Sequence, residues 1–330
     1  MSTDTQREPD LTGDGIEDDH RRDRLFRRLT LGCASFTVLV TLSLFLVLVD
    51  NAAGYFYGAR IWEVLFGVAT FTQTVSFTEF FTGTRWAPVR APPGHGVLPI
   101  VWGTVVITVG AAVVSIPIGT ATALYLSEYA KSSTRDRLKP ILEVLAGIPT
   151  IVYGFFAVSF VTPIFVNAIG TLFGYSVGRY SMMAGWIVVG TMTIPMVSSI
   201  SEDAMQAVPD DLRNGAYALG ATKMEVSLRI VLPAALSGIL ASYILAISRA
   251  IGETMAVSLA AGFQPQLTAN PFDEIMTMTA YMVSLARGTS AVGSIEYQSL
   301  FAVGLLLFLM TLSANLLNDH LKRRFQEEYR

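Results

Sequence analysis

Long stretches without charged residues alternate with short polar stretches along this chain, and five of the stretches are long enough to cross a membrane. With 21, 31, 35, 22 and 22 residues, they are Leu29–Val49, Val97–Ser127, Val144–Gly178, Tyr180–Ser201 and Tyr297–Asn318. A helix needs roughly 20 apolar residues to cross about 30 Å of hydrocarbon. The two longest stretches exceed one crossing but cannot hold two crossings and a turn. Each therefore predicts one tilted or kinked helix plus an apolar loop.

A further apolar stretch begins at Ile230 and is interrupted only by Arg249 and Glu253 before Asp273. It predicts one more helix, which brings the expected number to about six. The sequence therefore predicts an all-α polytopic membrane protein.

The distribution of lysine and arginine predicts the orientation, because cytoplasmic loops carry an excess of both. If the N-terminus lies inside, the cytoplasmic segments hold 17 Lys and Arg residues and the external segments hold 5. The cytoplasmic segments are then 1–28, 127–139, 204–233 and 319–330, and the external ones are 50–99, 168–181 and 262–298. We expect both termini on the cytoplasmic side, as an even number of helices requires.

This pattern divides the chain into four parts. They are an acidic cytoplasmic tail over 1–28, a first transmembrane helix with an external segment over 29–98, a core of five transmembrane helices over 99–318 with a cytoplasmic loop at 208–233, and a cytoplasmic tail over 319–330.

Three prolines fall inside the predicted helices: Pro117 in the second, Pro149 in the third and Pro195 in the fourth. A proline removes one backbone hydrogen bond of a helix and can kink it. The freed carbonyl needs a partner in lipid, so we expect these faces to look inward. The alternative is that the prolines are simply tolerated, as they often are in membrane helices.

Composition excludes several classes of protein. Hydrophobic residues make up 52% of the chain and charged residues 15%, with a mean hydropathy of +0.50, which is typical of neither a disordered chain nor an ordinary soluble enzyme. A net charge of −3 gives no basic face for nucleic acid, and the single cysteine, Cys33, cannot form an internal disulfide. No GxxxxGK[ST] loop occurs, and the histidines have no metal-binding spacing. Energy for uphill transport would therefore come from another subunit or an ion gradient.

The predicted cytoplasmic loop contains signals for a short helix. Pro209 is followed by Asp210 and Asp211, and acidic residues favour the first turn of a helix. Gly220 is a plausible end, since glycine adopts the left-handed conformation without strain. A second amphipathic stretch, residues 222–230, leads towards Pro233.

One face of this short helix is apolar, because Leu212, Ala216 and Leu219 recur at i, i+4 and i+7. An apolar face outside the membrane needs to be covered. Either the helix rests on the bilayer surface, or it docks into a groove on a partner protein.

Arg249 and Glu253 are four residues apart, which places them on one face of the fifth predicted transmembrane helix. A charge at the centre of a membrane costs about 2.5–3.5 kcal/mol, so a chain keeps two only if they pair or line a polar route. They are either a structural ion pair or an anion station. In the second case the planar guanidinium of Arg249 would contact an oxyanion, and Glu253 would hold that arginine between turnovers.

The loop resembles the EAA signature of ABC-importer permeases. Gly215-Ala216, three residues and Gly220 follow its spacing, with residues 232–235 reading Leu-Pro-Ala-Ala behind them. In that family the loop is a coupling helix that fits a cleft on a cytoplasmic ATPase, and the fold is that of a type I importer permease. The coupling residues that this resemblance implies are Leu212, Asn214, Gly215, Ala216, Leu219 and Gly220. The signature usually begins with glutamate where this chain has Asn214.

A second resemblance narrows the family. Residues 249–257, which read Arg-Ala-Ile-Gly-Glu-Thr-Met-Ala-Val, and residues 146–154, which read Ala-Gly-Ile-Pro-Thr-Ile-Val-Tyr-Gly, are similar to the PstC-type permeases of phosphate importers. Residues 81–84, 124–129 and 138–140 also match, and the resemblance covers about residues 65–318. It implies a transport subunit without catalytic residues in the cell membrane, with Arg249 and Glu253 in the substrate pathway.

The same resemblance implies the partners. An external phosphate-binding protein of the PstS type delivers inorganic phosphate, and a second permease of the PstA type completes the pathway across the lipid bilayer. Two copies of a cytoplasmic ATPase of the PstB type bind ATP and Mg, and no cofactor is expected on this chain. The alternatives are an ABC permease for another oxyanion, such as molybdate or sulfate, and a stand-alone secondary anion carrier or channel.

Overall fold

The computed structural model describes residues 13–67, 74–288 and 291–327, and the side chains from residue 23 to residue 317 within those ranges. The chain forms two compact units, Met1–Asp50 and Asn51–Arg330. The described part of the first unit is helical. Its helix, α1 (Gly13–Tyr57), continues through residue 28, where the predicted N-terminal tail ends. The division into a tail, an external segment and a core remains a prediction, and residues 1–12 of that tail lie outside the described residues.

Helices long and apolar enough to cross a membrane occur where the uncharged stretches predicted them. Five qualify within the described residues: Asp23–Tyr57, Leu98–Tyr129, Thr150–Leu172, Met182–Gln206 and Ile295–Leu317. A sixth qualifies if Lys223–Ala234 and Leu236–Ile251, which meet at an angle of 70°, count as one span. The prediction of an all-α protein with about six spans is confirmed.

The elements of the second unit follow in chain order after α1. The helices are α2 (Ile61–Leu65), α3 (Phe77–Thr82), α4 (Leu98–Leu124), α5 (Ser132–Ala146), α6 (Thr150–Phe156), α7 (Asn167–Leu172), α8 (Met182–Gln206), α9 (Asp210–Ala218), α10 (Lys223–Val226), α11 (Leu232–Ala234), α12 (Leu236–Ile251), α13 (Met255–Ala260), α14 (Met278–Ala286) and α15 (Ile295–Glu327). Wider π-helical turns occupy Tyr125–Tyr129, Ala157–Val166 and Ser227–Val231. Two short strands, β1 (Trp86–Ala87) and β2 (Gly94–His95), pair antiparallel.

The central core lies between α4, α8, α13 and the π-helical turn of the third span, where side chains such as Ile107, Val161 and Val188 are buried. The helices α4 and α8 pack closely because glycines of each helix leave room for larger side chains of the other. A Cβ atom at Gly110 would collide with the Trp186 ring. The Trp186 Nε1–H donates to the Val106 carbonyl at 2.9 Å, so the indole is satisfied inside an apolar contact.

We use the term crown for one end of the second unit, formed by α2, α3, the strand pair, α14 and the ends of α1, α4 and α15 that pack with them. Its buried cluster includes Tyr55, Phe80, Trp86 and Tyr281, and the rings meet edge to face. Phe80 and Trp86 of the predicted external segment therefore pack inside the crown, whereas Phe66 is 73% exposed.

We use the term loop end for residues 123–149 and 202–239. Its buried cluster consists of Ala123, Met205, Val208, Ala216, Val226, Val231, Ala235 and Ile239. Here α9 lies against the ends of the α4 and α8 spans. The amphipathic helix α5 precedes the third span and has no fully buried residue.

The three prolines lie at different kinds of position. Pro117 and Pro195 lie inside α4 and α8, as predicted, whereas Pro149 precedes α6 in an extended conformation with ψ 134°. The prediction that Pro149 kinks a helix is therefore wrong. Helix α5 ends at Ala146, and a residue before proline disfavours the helical conformation, so the chain turns here and begins a new helix.

The expectation that the proline faces look inward holds for Pro195, which is buried, and is wrong for Pro117 in this chain. Pro117 lies four and eight residues after Val113 and Val109, and all three are exposed. This stripe of α4 faces away from α8, because α8 packs against the face that carries Gly110.

Candidate functional site

The short helix predicted in the loop is present as α9, and its ends form as the sequence indicates. Pro209 precedes the helix with ψ 139°, and Asp210 and Asp211 occupy the first turn. Gly220 has φ +85°, in the left-handed region. The Gly220 N–H donates to the Tyr217 carbonyl at 2.9 Å, and the Ala221 N–H donates to the Ala216 carbonyl at 3.1 Å. These two bonds form a Schellman motif, which explains why glycine is needed at this position.

The apolar face predicted for α9 is divided in the structure. Ala216 is 7% exposed and packs in the loop-end cluster, whereas Leu212 and Leu219 are 49% and 90% exposed. Leu219 is the residue directly after the last helical residue. Leu212 and Leu219 are uncovered in this chain, as expected of an apolar face that another surface covers, whereas Ala216 is covered by the loop end itself. Which surface covers the two leucines stays a prediction.

The remaining residues of the predicted coupling set, Asn214 and Gly215, are exposed on α9. A Cβ atom on Gly215 or Gly220 would meet no atom within 4 Å. This surface of α9 is therefore open and flat, with small residues beside the exposed leucines. A surface of this shape is suited to close approach by another protein.

The segment after α9 begins with a capping box, in which Thr222 and Glu225 each bond the backbone N–H of the other. The chain then bends by 70° around Ala235 before α12 begins. The loop therefore joins α12 through a bend.

Arg249 and Glu253 do not share a helical face. Helix α12 ends at Ile251, and Gly252 and Glu253 lie in a break before α13. No ion pair joins Arg249 and Glu253 in the described part of the chain. The prediction of a shared helical face is wrong because it assumed an unbroken helix through Gly252.

Glu253 is buried, with 8% of its surface exposed, and it holds the break together. Its Oε1 atom accepts a hydrogen bond from the Ala256 N–H at 3.1 Å, at the start of α13. Its carbonyl accepts a hydrogen bond from the Thr279 hydroxyl at 2.7 Å, at the start of α14. A carboxylate at the start of a helix is favoured by the helix dipole and by the free N–H groups there.

Arg249, by contrast, is exposed in the last turn of α12. Its neighbour Ser248 donates a hydrogen bond to the Asn315 side chain of α15 at 3.1 Å. The structure therefore places one exposed cation beside a break in a membrane-spanning segment. Such a position allows the guanidinium to contact an anion from one side.

The sequence pattern does not indicate two charged groups that the structure places at the loop end. Glu202 is fully buried, and it pairs with Arg135 Nε and Lys139 Nζ of α5, each at 2.8 Å. The Gln206 amide is a further partner. Hydrogen bonds to Asp203 first and Glu202 second raise the pKa of the Lys139 ammonium group. The uncharged stretch ends at Ser201, so the pattern offered no sign that α8 continues for another turn with a buried acid.

The second group is Arg213 of α9, which pairs with Glu128 at 3.1 Å. Glu128 belongs to the π-helical turn that ends the α4 span, 85 residues away along the chain. No local spacing rule connects two such distant residues. In the ranges that the structure covers, no group of three or more His, Cys, Asp or Glu residues is arranged to hold a metal ion.

Comparison with known proteins gives a family and several relatives. A family model described as the binding-protein-dependent transport system inner membrane component matches residues 115–327. The chain is 36% identical to the probable ABC transporter permease protein YqgH of Bacillus subtilis over 76% of this chain and 79% of that protein. It is 30% identical to the phosphate transport system permease protein PstC of Mesorhizobium japonicum over 88% of this chain and 90% of that protein. It is 31% identical to the protein of the same name in Xylella fastidiosa, over 89% of this chain and 88% of that protein.

Solved structures agree with the fold. A chain of a bacterial alginate ABC transporter, in complex with its alginate-bound periplasmic protein, superposes with a TM-score of 0.60 at 15% identity, over 93% of this chain and 96% of that chain. A chain of the MetNI methionine ABC transporter superposes with a TM-score of 0.54 at 19% identity, over 69% of this chain and 95% of that chain. At this level of identity the likeness concerns the fold alone.

Proposed function

This chain belongs to the binding-protein-dependent transport system inner membrane component family, and from this membership we propose that it is the permease subunit of an ATP-driven importer of inorganic phosphate. The match to PstC phosphate permeases over almost nine tenths of the chain carries this proposal. The chain itself supplies the transmembrane pathway and no catalytic residues.

The partners follow from the same membership. We expect a second, PstA-type permease to complete the pathway, two copies of a PstB-type ATPase to bind ATP and Mg, and a PstS-type protein to deliver phosphate from outside. The exposed Leu212 of α9 and Leu219 directly after it support the ATPase contact, because an apolar surface of this kind needs a covering partner. In this arrangement the loop end and both termini lie in the cytoplasm, and the crown faces outwards.

Within the pathway, Arg249 is the residue that contacts the anion. Its guanidinium presents several N–H donors in one plane, which matches the oxygens of phosphate. Glu253 has a different role from the one expected of an arginine partner. It fixes the break between α12 and α13 by accepting a hydrogen bond at the start of α13, and it thereby determines the position of Arg249.

The test is uptake of labelled phosphate by proteoliposomes that contain the complete complex. We expect Arg249→Ala to lower the uptake rate by at least about tenfold, which corresponds to the loss of a charge-assisted bidentate contact, while the complex still assembles. Arg249→Lys should retain part of the rate. Arg287→Ala, which removes an exposed arginine at the end of α14, is the matched control. Normal uptake by Arg249→Ala would exclude Arg249 from the pathway.

The alternatives give different outcomes in the same vesicles. Competition by unlabelled molybdate or sulfate at equal concentration would indicate a permease for another oxyanion. Uptake that continues without ATP and without an ATPase subunit would indicate a stand-alone carrier. We expect neither.

A further inference from the structure

The side chain of Arg213 points back from α9 into the loop end. It is 14% exposed, although its neighbours Leu212 and Asn214 are exposed. One terminal nitrogen, NH2, pairs with Glu128 Oε1 at 3.1 Å and donates to the Met205 carbonyl at 2.8 Å. The other, NH1, donates to the Val208 carbonyl at 2.5 Å. A single guanidinium therefore joins three separate parts of the chain.

The two carbonyl acceptors lie at the end of α8. The Met205 carbonyl in its last turn accepts one backbone bond, from the Val208 N–H at 3.3 Å, and Arg213 adds a second donor there. The Val208 carbonyl lies just beyond the helix and accepts from Arg213. A cation at this end of a helix is also favoured by the helix dipole. The Glu128 side chain is only 5% exposed, and Ser127 donates a second bond to its Oε1 atom at 3.0 Å. Arg213 is therefore the cation that pairs with this poorly hydrated carboxylate.

Apolar packing alone does not fix the position of α9. Ala216 is the single residue of this nine-residue helix in the buried cluster, and a methyl group contributes little area. Leu212 of the helix and Leu219 directly after it are 49% and 90% exposed, so they contribute little packing within the chain. The directional bonds of Arg213 therefore set where α9 lies relative to the ends of α4 and α8.

We infer that Arg213 is a positioning residue that fastens α9 to the ends of the α4 and α8 spans, so that a displacement of α9 moves both spans together. This inference rests on the proposed function, in which α9 receives movement from an ATPase. The planar fork of arginine is required, since the Glu128 carboxylate and two backbone carbonyls lie around it, and the compact ammonium of lysine cannot reach all three in the same geometry.

The first experiment measures ATP hydrolysis and phosphate import in the same proteoliposomes and takes the ratio of ATP consumed to phosphate imported. We expect Arg213→Gln to raise this ratio about tenfold, because it loses the charge-assisted bonds while α9 still meets the ATPase. Arg213→Lys should lie between Arg213→Gln and the wild type. Glu128→Gln should have a smaller effect than Arg213→Gln, since both carbonyl bonds remain.

Asp210→Asn is the matched control. Asp210 also pairs with Arg213, at 3.2 Å, but its side chain is 88% exposed, so this pair contributes little. We expect the Asp210→Asn ratio to equal that of the wild type. A wild-type ratio in Arg213→Gln would overturn the inference. A fall of both rates at an unchanged ratio would also overturn it, because Arg213 would then stabilise the fold without transmitting movement.

A second experiment does not depend on the substrate. Spin labels on Ala121→Cys of α4 and Asp211→Cys of α9, two exposed positions in a Cys33→Ser background, report the distance between the elements. We expect one narrow distance in the wild type, unchanged between the nucleotide-free and vanadate-trapped complexes, and a broad or shifted distance in Arg213→Gln. An unchanged narrow distance in Arg213→Gln would contradict the inference. Failure of the wild type to import phosphate would instead refute the proposed function.

Discussion

The loop end and the crown hold their elements together by different interactions. At the loop end, charged side chains join separate elements, as in the pairs of Glu202 with Lys139 and of Arg213 with Glu128. In the crown, aromatic rings pack around Phe80, and neutral groups bond one another, as Tyr281 and Ser299 do at 2.6 Å. The crown pair of Arg60 and Glu63 links residues three positions apart on its surface, so it joins no distant elements.

This difference indicates that the crown resists deformation, whereas the loop end is built to transmit movement. Packed rings resist displacement in every direction, because any movement loses contact area. Charge-assisted bonds act between defined atoms, so they hold two elements in a fixed relation and respond to the ionic environment. A permease that receives movement at one end and exchanges its substrate at the other has a use for both.

The largest effect is expected in the crown from Phe80→Ala. Phe80 is 1% exposed, and its ring contacts those of Tyr55, Phe56, Phe81 and Trp86. Removing it should lower the free energy of unfolding by about 3–5 kcal/mol, the cost of a phenylalanine cavity. Thermal unfolding of the complex in detergent, at low and high salt, measures this cost. We expect no dependence on salt.

The control for Phe80→Ala is Phe77→Ala. Phe77 stacks on Phe56 at 4.2 Å but is 46% exposed, so its loss should cost less than half as much. Equal costs for the two variants would show that the crown is not held by its buried rings.

A somewhat smaller effect is expected at the loop end from the double variant Arg135→Gln and Lys139→Gln. It leaves the buried Glu202 carboxylate without a cation, and breaking a buried pair typically costs about 3–5 kcal/mol. We expect a value near the lower limit, because the two basic side chains are 34% and 29% exposed and water can partly replace them. The difference from the wild type should shrink in 1 M salt, which screens the partly exposed pairs.

Two single variants test whether this cost belongs to Glu202. Arg137→Gln removes an exposed cation from the same helix, α5, and should change the unfolding midpoint very little. Arg60→Gln breaks the surface pair of the crown and should cost at most about 1 kcal/mol. A cost for Arg137→Gln comparable to that of the double variant would mean that general charge, and not the Glu202 site, stabilises the loop end.

The smallest effect is the expected loss of crown stability at acidic pH. His95 of the crown is 8% exposed and bonds Tyr55 at 2.9 Å. Burial lowers the pKa of His95, and the nearby carboxylates of Glu79 and Glu296 oppose this shift only in part. The folded state then binds a proton less readily than the unfolded chain, so stability is fully present above a pH of about 6.5 and decreases as the pH falls below it.

Hydrogen exchange of the crown at pH 7.5 and pH 5 measures this change, which we expect to reach at most about 1 kcal/mol. The variant His95→Gln keeps a polar partner for Tyr55 and does not titrate, so it should remove the difference between the two pH values. A difference that persists in His95→Gln would assign the acid sensitivity to another group.

Local features of the chain could be predicted well from the sequence. The uncharged stretches predict each span, because lipid excludes charge and a helix satisfies its own backbone. The start of α9 at Pro209 and its end at Gly220 also follow from residues that act within one turn. The position of Pro149 before a new helix was within reach too, since Gly147 and a residue before proline both disfavour a helix.

The break in the fifth span and the partners of the buried charges depend on the tertiary structure. The length and charge of residues 230–273 indicate a span but not its break at Gly252, which depends on the bonds from Glu253 to α13 and α14. The partners of Glu202 and Arg213 lie 63 and 85 residues away in the chain, so no periodicity links them. The sequence by itself determined which segments enter the membrane, because that depends on the transfer of each segment from water to lipid. Which charges meet at their ends was decided by the packing of the helices, since only folding brings distant side chains within the few ångströms over which they bind.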